Sequence, residues 1–259
     1  MTSAQISQIR STFKKIDAAF PKPVAQAIAN LDTLATAGNS LPIPSSEKLY
    51  DAAADAVLSG GDMLEDSNVI RIITAQILGG NTGGSLSYGL SQAGARRIAA
   101  ALTEHADAVL AILKDKTDTA GEILASSHEV IGDLDLSESE RILGLGPDAA
   151  MAWAAAKVSA QTVRECSQAW FSLADLTGFT SSSLAPSLRI ADLDLATFEK
   201  VGRAAAPWDI VRAGGTIDLA TRTTAKERST GYSAALQERQ DHNDGAFLRE
   251  YRRTHSING

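Results

Sequence analysis

Apolar residues recur at spacings of three and four along most of this chain, the mark of amphipathic helices. The longest such run lies between residues 90 and 134. Within it Leu102, Ala106, Val109, Leu113, Lys116, Ala120, Ile123, Ser127, Val130 and Leu134 alternate at four and three, and Ala99, Leu110, Leu124 and Ile131 widen the stripe on one side. The pattern predicts one long helix whose seam meets a partner. Gly144, Gly146 and Pro147 then turn the chain, and Pro147 starts a second run in which Ala149, Trp153, Ala156, Ala160, Val163, Ser167, Trp170 and Ala174 repeat the alternation until Thr177-Gly178 end it. Two matching seams joined by a short breaker predict an antiparallel helical hairpin. The polar run 114–119 puts Lys116 on the seam, and Thr119 with Glu122 reads as a capping box. Because the phase passes through this run unbroken, a continuous helix is expected.

Shorter elements flank the hairpin. Ile6, Ile9, Phe13, Ile16 and Phe20 stripe a first helix that Pro21 and Pro23 end. Pro23 suits the first turn of a second helix, striped by Val24, Ile28, Leu31 and Leu34 and closed by Gly38-Asn39. Leu41-Pro42-Ile43-Pro44 is expected to be extended. Ser45 or Ser46 can cap a third helix through Leu49, Ala53, Val57 and Leu58, stopped by Gly60-Gly61. Asp66 or Ser67 opens a fourth through Val69, Ile70, Ile72, Ile73 and Ile77. Its β-branched density also fits a buried strand, but Arg71 and Gln76 suit a helix flank and no neighbouring strand offers a partner. Glycines at 79–84 make a candidate boundary.

Beyond the acidic turn, Ser137-Glu138-Ser139-Glu140 reads as a capping box opening a short helix through Ile142 and Leu143. Residues 180–183 and Pro186 read as a loop. Leu195, Phe198, Val201 and Ala205 stripe one more helix, halted by Pro207. After Gly214-Gly215 the pattern fades, and residues 216–259 are expected to form a partly extended arm with helical pieces. The expected fold class is all-α: a helical bundle built around a long antiparallel helical hairpin, with an irregular C-terminal arm. The expected divisions are 1–84, 85–180 and 181–259.

Composition narrows the function classes. The chain has 259 residues, 44% hydrophobic and 21% charged, with aromatics at only 5%, so slim Ala-lined helix contacts are expected rather than a bulky mixed core. A net charge of -7 argues against a dedicated nucleic-acid binder. Charge is uneven: residues 1–220 carry 17 basic and 26 acidic side chains, residues 221–259 carry 7 and 5. Cys166 is the single cysteine, which excludes an intrachain disulfide. No basic-then-apolar leader opens the chain, and no run of about 18 apolar residues exists, so a cytoplasmic protein with no membrane association is expected. Arg over Lys and heavy Ala usage point to a GC-rich genome, bacterial or phage.

Candidate chemistry is thin. The glycine loop at 79–84 before a helix can cradle a phosphate, but no Gly-Lys-Ser/Thr follows and it reads as a hinge. His105, His128, His242 and His255 make no metal pattern. Cys166, beside Glu165, lacks the basic neighbour or helix N-terminus of a thiol nucleophile. Asp133, Asp135, Glu138 and Glu140 lack the spacing of a calcium loop and read as caps. Trp153 and Trp170 share a face and read as seam residues. Phe247, Leu248 and Tyr251 beside Arg249, Arg252 and Arg253 form the one cluster that reads as a docking segment, aromatics as anchors and arginines for acidic groups. The expectation is a non-enzymatic assembly protein, such as a component of a bacteriophage particle or similar complex. Its expected partner is itself or another assembly protein, and no cofactor, metal or catalytic residue is assigned. Two other readings are a helical-bundle enzyme or ligand-binding protein, its pocket between the hairpin and the N-terminal helices, and a nucleic-acid-associated regulator using the basic end.

Overall fold

A computed structural model describes the backbone of residues 2–39, 44–79, 83–179 and 184–255, with side chains except at 2, 35, 37–39, 78–79, 83–87 and 243–255. The protein is all-α. Among the described residues there are twelve helices, and the only β feature is an isolated bridge between Ala191 and Ile217. The expected extended stretch at 41–43, part of the glycine loop (80–82) and the loop at 180–183 lie outside the described residues.

The chain forms two compact units, one of residues 1–6 and 20–105, the other of residues 7–19 and 106–259. In the first, α2 (Lys22–Asn39) lies against α5 (Gly83–Glu104), with Val24, Ile98 and Leu102 buried. The two helices come close at Gly94, where an added Cβ would displace the end of the Leu31 side chain. α3 (Ser46–Leu58) and α4 (Ser67–Gly79) form a pair whose core is Ala52, Ala56, Val69 and Ile72. Caps fix both starts. Ser45 accepts from the Lys48 N–H at 3.4 Å, and Asp66 accepts from Asn68 and Val69, each at 2.9 Å. The β-branched run is thus a helix, as its cap and flanks predict.

The second unit is organised by α6 (Ala106–Ile131) and α8 (Pro147–Thr177), which pack along one another. The second half of α1 (Thr2–Lys15) covers α8: Ile9 and Phe13 are buried, and Thr12 Oγ1 donates to Glu165 O at 3.3 Å. α8 begins with Pro147 in its first turn and stops at Gly178, whose φ of 66° is the left-handed closure that glycine adopts without a Cβ penalty. α6 runs unbroken through 114–119.

Four expectations need correction. First, residues 90–134 are not one helix. The chain turns at His105, and α5 and α6 belong to different units. A continuous apolar phase does not oblige two segments to form one helix, because each half satisfies its stripe within its own unit. Second, the α6 stripe is Val109, Leu113, Thr117, Ala120, Leu124, Ser127 and Ile131, while Ile123 is 38% and Val130 50% exposed. The buried line follows 3.6 residues per turn; a strict heptad drifts off it and falls on Lys116, Ile123 and Val130. Third, Pro186 and Pro207 open α9 (Pro186–Ile190) and α11 (Pro207–Arg212), while α10 (Leu195–Val201) ends at Gly202, φ 85°. Proline lacks only an N–H that a first helical turn leaves unpaired anyway, so it starts helices as readily as it stops them. Fourth, the C-terminal region is not an irregular arm. After an extended stretch it forms α12 (Arg222–His255), a polar helix of 34 residues.

The acidic turn between α6 and α8 is built by caps, though not the expected pair. α7 (Ser139–Leu143) has no side-chain cap from Ser137. Instead Asp135 accepts from Ser137 N at 2.8 Å and Ser137 Oγ at 2.6 Å, and Glu138 Oε1 accepts from Asp135 N at 3.0 Å.

Candidate functional site

The C-terminal helix is rooted by residues whose partners lie far away in sequence. The chain from Ile217 to Ala220 is extended and buried: Ile217 is 5% exposed, Leu219 and Ala220 1%. Asp218 N donates to Ile190 O and Ala220 N to Arg189 O, both at 2.8 Å, so this stretch pairs edge to edge with the end of α9. On its other side it crosses α6 at Gly121, where a Cβ would stand 2.8 Å from the Cβ of Ile217. Trp170 of α8 donates its indole N–H to Ala220 O at 2.5 Å. Thr221 and Thr224 then cap α12 reciprocally, Thr221 N to Thr224 Oγ1 at 2.7 Å and Thr224 N to Thr221 Oγ1 at 3.2 Å.

Charge completes the seat. The Arg228 side chain is 4% exposed, donates to Leu188 O (3.1 Å) and Asp218 O (2.9 Å), and pairs with the Asp218 carboxylate. That carboxylate also receives Lys114 of α6, which donates in addition to Asp118 at 2.9 Å. Burial alone would lower the Lys114 pKa; hydrogen bonds and charge from Asp218 and Asp118 outweigh it, and the pKa is raised. Arg222 pairs with Asp107 at 2.8 Å. Further along, Tyr232 packs on Phe198 of α10 with ring centroids 4.6 Å apart, and Arg239 pairs with Glu199. A cleft of about 390 Å³ runs beside this seat, lined by Asp192, Asp194, Asp218, Glu227 and Arg228 among others.

A second buried cation supports the same region. Arg189, 8% exposed, lies over Trp170 and Phe171 at 5.2 and 4.9 Å and donates to Ser167 O at 3.3 Å and Leu184 O at 3.5 Å. Burial pulls its pKa down to about 10, still cationic at neutral pH. Arg189, Asp218 and Arg228 escaped sequence reasoning: each sits in a short, weakly patterned stretch. A signal did exist in Ile217, Leu219 and Ala220, an apolar alternation too short to stand out.

The docking cluster expected from sequence, Phe247, Leu248, Arg249, Tyr251, Arg252 and Arg253, has a helical backbone within α12; its side chains lie outside the described residues. Helical spacing sets Phe247 and Tyr251 one turn apart, and likewise Arg249 and Arg253. Of the ties α12 makes to the rest of its unit through described residues, the last is Arg239 to Glu199. Gln240, Asp241 and His242 beyond it are exposed.

The other candidate residues resolve individually. Trp153 donates to Leu136 O at 2.8 Å and Trp208 to Leu134 O at 2.9 Å, so both indoles tie the acidic turn to their own helices. Cys166 is buried, with its thiol pushed up to about 11 by desolvation. His128 faces Asp133 at 3.2 Å and packs edge-on to Trp208; His242 is exposed and His105 half-buried. Among the described residues no group of three or more His, Cys, Asp or Glu could hold a metal ion, and no helix is long and apolar enough to cross a membrane. Comparison with protein-family models, curated proteins and solved structures finds no match.

Proposed function

We propose that this chain is a non-enzymatic assembly protein whose C-terminal helix docks onto the acidic surface of a neighbouring copy. The observation that carries this reading is the division of α12 into a seated part, ending at the Arg239–Glu199 pair, and a continuation to His255. The whole helix is roughly 50 Å long at 1.5 Å per residue. A polar helix is marginal in water by itself, so residues 240–255 gain most by lying on a partner. They carry Arg249, Arg252 and Arg253 beside Asp241, Asp244 and Glu250, and it is the arginines, grouped toward the end, that can meet the surplus of carboxylates over residues 1–220. A contact between one end of a copy and the body of the next is heterologous, and such contacts propagate into rings or filaments.

The test is a chain ending at Arg239, compared with the full chain by light scattering at low and high salt. The full chain should form species larger than a dimer that shrink as salt screens the arginines. The shortened chain should keep its melting transition and lose those species. Equal masses for the two chains at low salt would refute this role for α12.

A further inference from the structure

We infer that the cleft at the root of α12 receives the arginine-bearing end of α12 from a second copy of this chain. The inference rests on the reading of α12 above and names the surface that takes it.

The cleft lies where residues 192–195, leading into α10, face the first third of α12. Its volume of about 390 Å³ is too small for a helix roughly 10 Å across, but it suits long side chains projecting from one. The carboxylates of Asp192, Asp194, Asp218 and Glu227 line it against a single cation, Arg228. Two of these carboxylates are committed. Asp218 holds Arg228 and Lys114, and Asp194 caps α10, accepting from Thr197 N at 2.7 Å. The other two are not. Asp192, its side chain 81% exposed, has only the Arg228 Nε at 3.9 Å, and Glu227 is exposed and makes no ion pair among the described residues. Leu193, Leu195 and Tyr232 add apolar wall, against which the methylenes of an arginine can lie.

The lining also holds an unmet donor. The Arg228 side chain is 4% exposed, and its Nε has no hydrogen-bond partner, Asp192 standing beyond bonding distance. A buried donor of this kind is satisfied by an acceptor that enters the cleft.

Charge identifies the occupant. Three other clefts are balanced or basic. Asp133 and Asp209 stand against Lys200 and Arg212 in one, Asp51 and Asp55 against Lys48 and Arg71 in another, and Glu165 against Lys15 and Lys157 in the third. Of these four, the cleft at the root of α12 is the one with an acidic surplus. A matching segment needs arginines and an acceptor, and residues 249–253, Arg-Glu-Tyr-Arg-Arg, have both. The helical register puts positions 249, 252 and 253 within a sector of about 100°, with position 250 beside it. The chain cannot fill its own cleft. Glu227 and Arg249 belong to one continuous helix and stand about 33 Å apart along it. The occupant is therefore the end of another copy.

Reversing the charge on each side tests this in the full-length protein, with mass read by light scattering at low salt. Asp192→Lys with Glu227→Lys reverses the cleft, and Arg249→Glu with Arg252→Glu reverses the tip. Each variant alone should associate at least 10-fold more weakly than the wild type and keep its melting transition. Mixed in equal amounts, the two should regain the wild-type masses, because contacts between unlike chains again pair opposite charges. A mixture that fails to regain mass, or wild-type assembly by the cleft variant, overturns the inference. In the latter case a chain ending at Arg239 that no longer assembles leaves the α12 reading standing, so the two fail separately. A second arm does not depend on how the cleft tolerates lysine. A chain with Glu227→Cys and Arg252→Cys should give covalent multimers with a short bis-maleimide, the native thiol of Cys166 being buried. Glu122→Cys with Arg252→Cys, its first site exposed on α6, should not. Equal cross-linking of the two pairs overturns the inference.

Discussion

Leu113 and Ile123 stand on the same helix, and sequence periodicity puts both on its seam. Only Leu113 is fully buried; Ile123 is 38% exposed. Leu113→Ala should therefore cost about 2–5 kcal/mol through lost burial and a residual cavity. Ile123→Ala should cost well under half of that, because water already reaches the site. Chemical denaturation of the two variants decides it, and equal midpoints would mean the seam has been misphased. Thr117 explains how the stripe tolerates polarity: its hydroxyl is buried but donates to Leu113 O at 2.8 Å, so it enters the seam with its hydrogen bond made.

At the scale of the element, the start of α7 shows how a cap writes itself into pH dependence. The Asp135 carboxyl lies below its ordinary pKa because of the Ser137 hydroxyl, then the Ser137 N–H. Glu138 is lowered by the Asp135 N–H and by Arg141. A carboxyl whose pKa is depressed by folding adds stability above its unfolded pKa and loses it as pH falls through the folded value. The turn should thus weaken below about pH 4, where these carboxylates take up protons. Asp135→Asn removes the Asp135 part of that dependence. Thermal melts of the wild type and the variant between pH 5 and pH 2 should differ at the upper end and converge at the lower. Parallel curves would show that the cap is not coupled to folding.

Across the second unit, Asp218 joins α6 through Lys114 to α12 through Arg228, and the backbone beside it is paired to α9. This node holds the C-terminal helix to the α6–α8 pair. Arg228→Met keeps the bulk of the side chain but leaves Leu188 O and Asp218 O without their donor. Asp218 retains Lys114, so the expected loss is about 1–3 kcal/mol rather than that of an orphaned buried charge. Hydrogen exchange should report it as faster opening of residues 217–239 with α8 unchanged. Uniform acceleration over α6 and α8 would make Arg228 a general stabiliser and not the anchor of α12.

The sequence by itself determined the all-α class, the span of α8 from Pro147 to Gly178, and the helical state of the β-branched run in α4. Each rests on local chemistry: spacing of apolar residues, a proline in a first turn, a glycine closure, a capping carboxylate. Other features depend on partners distant along the chain, and only the tertiary structure decided those. The turn at His105 leaves the apolar phase intact, so periodicity passes over it. The seat of α12 is built by Gly121, Trp170, Arg189 and Asp218, residues that come together only once α6, α8 and α9 have packed. The polar stretch after Thr221 is poor in apolar residues and reads as loose on its own composition. It is ordered because Ala225 and Arg228 are buried against the unit and the main chain just before it is hydrogen-bonded at both Asp218 and Ala220.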